Sequence, residues 1–120
     1  MKILNDNIGK AELLAMILFT SGCIVDHITT QYGLSLPTVE EANPVVLFMI
    51  GAGVWNVVEI LIILLGTTSG FILSSTRSRG MVTMSILALM VVGLVRLYAG
   101  VHNIVLISNI GSVLEVTSIY

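Results

Sequence analysis

The chain has 120 residues, of which 56% are hydrophobic and only 10% are Asp, Glu, Lys or Arg, and its formal net charge is -2. A water-facing domain carries about 25% charged residues, so a soluble globular surface is excluded, and a mean hydropathy of +1.04 agrees. No basic excess invites nucleic acid, and one cysteine, Cys23, leaves no internal disulfide. The expected fold is therefore all-α, a single integral membrane domain of three transmembrane helices with short loops and lipid around most side chains.

The first span is expected at residues 11–33. Its most apolar part, LLAMILFTSGCIV, is too short to cross a bilayer, which takes about 20 residues. The helix is therefore expected to continue through Asp26 and His27, with Lys10 and Glu12 at its interfacial end. Lys2 and Lys10 before an apolar run ending in Thr20-Ser21-Gly22-Cys23 also have the look of a lipoprotein signal. A retained membrane helix that happens to contain Gly-Cys is the reading adopted.

The connection LSLPTVEEANP follows. Thr38 with Glu41 three residues on has the form of a capping box. Asn43-Pro44 puts an N-cap residue before a proline at the first helical position. The second span is expected to start there and run through residues 45–66. The polar hairpin SSTRSRG leads to the third span at residues 81–107, and the tail 109–120 is too short and polar to cross.

Basic residues near helix ends set orientation. Lys2 and Lys10 precede the first span, and Arg77 and Arg79 lie between the second and third. In a three-span protein these regions share a side, so the chain is expected in the cell membrane with its N-terminus cytoplasmic and its C-terminus outside.

Ionisable groups at membrane depth are costly and need partners. With about 1.5 Å of rise per residue, Asp26 and Arg96 each stand about 21 Å from the inner face and can form an interhelical ion pair. Glu59, on a span starting at Val45, falls about 21 Å below the outer face. That is about 10 Å too deep for Arg96, and leaves Glu59 neutral, reaching to the interface, or paired with another subunit. Helical spacing places Asn56 one turn from Glu59, and Arg96, Gly100 and Asn103 on one face. Gly22, Asp26, Thr29, Thr30 and Gly33 form a small and polar stripe suited to close packing. Asp26, Glu41 and His102, all expected in the outer half, are weak candidates for a metal site, since their spacing matches no ligand motif. Cys23 reads as packing.

Asp26-His27-Ile28-Thr29-Thr30, then Glu41-Ala42-Asn43-Pro44, then Tyr98 and Asn103 resemble a family of small prokaryotic membrane proteins of unknown function. Its members have about three spans and an Asp…Thr…Glu-x-Asn-Pro signature. The resemblance covers Leu13 to Ile107 and implies a fold and no activity. It also implies a basic residue in the second span, where this chain carries Glu59.

There is no Gly-rich phosphate loop, nucleophile elbow or HExxH, so catalysis is not expected, nor is a cofactor. The expected function is that of an accessory subunit of a larger membrane complex, of respiratory or monooxygenase type, with other integral membrane subunits as partners. The alternatives are a small homo-oligomeric transporter or channel and a viral envelope protein. Accessibility labelling of single introduced cysteines in intact cells should reach the Asn43 loop from outside and the Arg77 loop only after permeabilisation. Both loops on one side would end the three-span reading.

Overall fold

The computed structural model describes residues 2–37, 39–74 and 78–117, and the side chains of residues 9–37, 39–72 and 78–110. Within them the chain is all-helical: α1 (Lys2–Leu34), α2 (Pro44–Gly51), α3 (Trp55–Ser74) and α4 (Arg79–Thr117), with no strand. Three stretches are long and apolar enough to cross a membrane, Gly9–Leu34, Trp55–Ile72 and Arg79–Ile110. α1 runs unbroken through Asp26 and His27, and α4 continues past the expected end of the third span to Thr117.

α1 and α4 run parallel in constant register. The 74-residue offset of the Asn103–Thr29 contact recurs where Gly93 meets Phe19 and where Gly100 meets Asp26. The glycines permit this closeness. A Cβ at Gly22 would collide with the Gly93 carbonyl, and one at Gly93 would stand 2.7 Å from the Phe19 amide nitrogen. Without side chains at the crossing, the two backbones touch directly, an arrangement that suits membrane helices, for which small residues allow close van der Waals packing. α3 runs the other way, its Gly66 against Phe19 and its Gly70 against Met16. Phe19 fills the space between α3 and α4, in a small core with Ala15, Cys23 and Leu89.

The whole is a slab of 70 × 31 × 15 Å. Most large apolar side chains lie on its outside, among them Phe48 at 75%, Leu65 at 68% and Met84 at 68% exposure. A water-soluble monomer rarely leaves so much contiguous apolar surface open.

The second apolar stretch departs from expectation. It is two helices, and the crossing helix starts at Trp55, ten positions after Val45. α2 ends in a Schellman motif: the Val54 amide donates to the Met49 carbonyl at 3.0 Å and the Gly53 amide to that of Ile50 at 2.9 Å. Gly53, at φ +70°, occupies the left-handed position this motif needs and a side chain resists. The run of apolar residues hides the break, because hydrophobicity continues across it while the backbone turns.

At the start of α2, the Asn43 side chain accepts from the Val45 amide at 3.0 Å, and Pro44 follows as the first helical residue. Glu41 accepts from the Asn43 amide at 2.7 Å. Thr38 lies outside the described residues, as do Arg77 and the tail residues from Ser118 on, and the side chains of Lys2 and Glu115 are likewise not described.

The contact between α1 and α4 yields a prediction of opposite signs. Gly93→Ala should cost about 1–3 kcal/mol by overpacking and lower the melting temperature in detergent. Gly80→Ala, in the same helix with open space around it, should leave it unchanged or raise it. Equal responses would mean that the helices are not in backbone contact.

Candidate functional site

The α1–α4 register places a group of polar side chains at one height. Arg96 projects from α4 between α1 and α3. Its Nη1 donates to Asp26 Oδ2 at 2.7 Å and its Nη2 to Glu59 Oε1 at 2.9 Å. Glu59 was expected too deep to reach Arg96, and this expectation is corrected. With the helix starting at Trp55, Glu59 is one turn, about 6 Å, from its N-terminal end, within reach of the Arg96 that also holds Asp26. The guanidinium is a planar fork that can serve two carboxylates at once, and it keeps its charge in nearly any setting.

The three are unequally shielded, with side-chain exposures of 25% for Arg96, 14% for Asp26 and 3% for Glu59. Two carboxylates against one guanidinium leave a negative charge in excess when all are ionised. Glu59 Oε2 is buried and has no partner among the described residues.

One turn further along α1 a neutral layer joins α1 to α4. Asn103 Nδ2 donates to the hydroxyl oxygens of Thr30 at 3.0 Å and Thr29 at 3.3 Å. Thr29 in turn donates to the Val25 carbonyl of its own helix at 2.8 Å. Asn56 stands apart from this set, with its Oδ1 accepting from Gln31 at 2.6 Å on an exposed edge.

Above Asp26 and Arg96 opens a cavity of about 550 Å³. Thr29 and Thr30 of α1, His102 and Asn103 of α4, and Glu40 and Glu41 of the connecting loop line it. His27 and Trp55 form one wall with ring centres 4.5 Å apart. Trp55 Nε1 and His27 Nδ1 are both buried without a partner among the described residues. His102 also stacks on Tyr98, with centroids 6.3 Å apart.

Asp26, Glu41 and His102 all reach this cavity. Yet no three His, Cys, Asp or Glu among the described residues stand close enough to hold a metal ion. His27 and Glu40, which the sequence places in the same half as Asp26, Glu41 and His102, also line the cavity, and sequence reasoning missed Trp55 as part of the site. The signal was there for Trp55: a lone tryptophan followed by Asn56 marks a membrane interface, and it would have placed the start of the span.

The arrangement thus defines a small protein of three membrane-length helices with a charged layer below a polar cavity. Residues 17–109, well over half of the chain, match a domain of unknown function, DUF5658, and the chain belongs to that family. Asp26, Thr30, Glu41, Asn43 and Pro44 all fall within the matched segment. No curated protein and no solved structure matches the chain.

Removing one member of a buried charge cluster strands the others. Arg96→Met should therefore destabilise the protein by about 3 kcal/mol, read as a lower melting temperature in detergent. The triple variant Asp26→Asn, Glu59→Gln, Arg96→Met should recover most of that loss. A triple variant as unstable as the single one would show that the charges do not act together.

Proposed function

We propose that the protein is a multi-pass membrane protein, N-terminus inside, that binds a small ligand in the cavity at the outer end of α1, α3 and α4. It acts by binding, with no catalytic machinery of its own. The observation that carries this reading is the cavity of about 550 Å³, which falls within the size range of small-molecule sites. Its lining mixes apolar side chains with a few convergent polar groups over a floor of ionisable side chains, and such groups at membrane depth mark functional positions by default. The orientation is supported by Lys10 and Arg79, which share one end of the slab because α1 and α4 are parallel.

The cavity is a pocket within one copy, since below its floor α1 and α4 touch through Gly22 and Gly93. A homo-oligomeric transporter would have to route its path between copies.

A second reading, the accessory subunit of a larger membrane complex, is favoured by the thin slab, whose broad apolar faces suit other membrane helices as well as lipid. Two features that suggested it now have answers inside the chain. Glu59 is paired with Arg96, and the glycine faces are occupied by α1, α3 and α4 themselves.

Native mass spectrometry of the protein purified in mild detergent discriminates these readings. The binding reading expects a small molecule or lipid that stays with the chain and is lost in Ala99→Trp, which fills the cavity from α4. If the wild type and Ala99→Trp carry the same adducts, the cavity is not a binding site. A stable larger assembly of unlike chains that survives Ala99→Trp would support the subunit role instead.

A further inference from the structure

We infer that the cavity takes an amphiphile with a protonated amine beside a hydrogen-bond-accepting oxygen, an ethanolamine-type head on a hydrocarbon tail. This rests on the binding reading above and adds the chemistry of the ligand. Three carboxylates line the cavity, those of Asp26, Glu40 and Glu41, against the single guanidinium of Arg96. The charge of Arg96 is already matched by the carboxylates of Asp26 and Glu59, to which its terminal nitrogens donate, so it adds no net attraction for an anion. The net field in the cavity is therefore negative, and an ammonium group with three donors is the head that suits it.

The second observation is independent of the acids. Trp55 lines the cavity and is only 8% exposed, and its Nε1–H has no acceptor among the described residues. A buried donor left unpaired is costly, so the ligand's oxygen is assigned to it. The tail has apolar wall to lie against, at Val46, Leu106 and Ile107.

The test uses Trp55 itself, the only tryptophan in the chain, as a fluorescent reporter in nanodiscs of phosphatidylcholine. Three probes of one shape are titrated: the hexyl ether of ethanolamine, the matching hexyl ether of ethylene glycol, and the matching hexyloxypropanoate. They are cationic, neutral and anionic in turn. The expected result is a saturable change in Trp55 emission with the amine, bound at least about tenfold more tightly than the other two. Glu40→Gln, which touches neither the Arg96 cluster nor the loop cap, should weaken the amine about fivefold and leave the neutral ether unchanged.

If the neutral or anionic ether binds as well as the amine, the charge assignment is overturned while the binding reading stands. If no probe gives a saturable change, both fall. Nanodiscs that include phosphatidylethanolamine separate the two sources of such a head. An amine response suppressed by that lipid assigns the site to a lipid headgroup, and an unchanged response assigns it to a free amine.

Discussion

The contact on which the rest of this structure depends is the direct meeting of the α1 and α4 backbones at Gly22 and Gly93. Hydrocarbon offers no hydrophobic incentive for helices to associate, so shape has to provide it. The crossing also sets a register that holds from Phe19–Gly93 through to Thr29–Asn103. Because that register does not drift, Thr29 and Thr30 arrive beside Asn103, and Arg96 comes within one turn of Asp26. An α4 turned by one residue would present Arg96 to lipid.

Arg96 then ties in the third helix. Held at the α1–α4 seam by Asp26, it still has a second nitrogen to offer, and Glu59 takes it. Such a cluster is a weak source of net stability, because desolvation opposes the attraction. Its stronger effect is on specificity: a wrong depth or rotation of α3 would leave a carboxylate in the interior without a cation. The cluster thus acts on α3 as a depth gauge, and it forms the floor on which the cavity rests.

Much of this was legible in the residues, and the exceptions have a common cause. Composition and apolar run length gave three crossing helices, because a lipid-facing surface is written in side-chain chemistry alone. The stripe Gly22, Asp26, Thr29, Thr30 and Gly33 identified the packing face of α1, since periodicity survives in one dimension. The partner of Glu59 was not legible. Depth was counted from the first apolar residue after Pro44, and the turn at Ala52–Val54 lies inside an apolar run that composition cannot divide. One left-handed glycine moved Glu59 by most of the thickness of a leaflet. The cavity was illegible for a different reason: Trp55, His27 and Glu40 come from a helix start, a helix interior and a loop, and only the folded chain brings them together.

The break before Trp55 also leaves the crossing helices unequal in length. The apolar part of α3 spans 18 residues and that of α4 32, or about 27 Å against about 48 Å. A hydrocarbon layer of about 30 Å fits α3 nearly upright, and tilting the slab to accommodate α4 would leave α3 too short to reach across. Gly66 of α3 and Gly93 of α4 both meet Phe19, so α4 overhangs α3 at both ends, and the overhanging turns reach past a layer that fits α3. Lipids next to those turns must stretch or climb to cover them, so the energy of the protein varies with local membrane thickness.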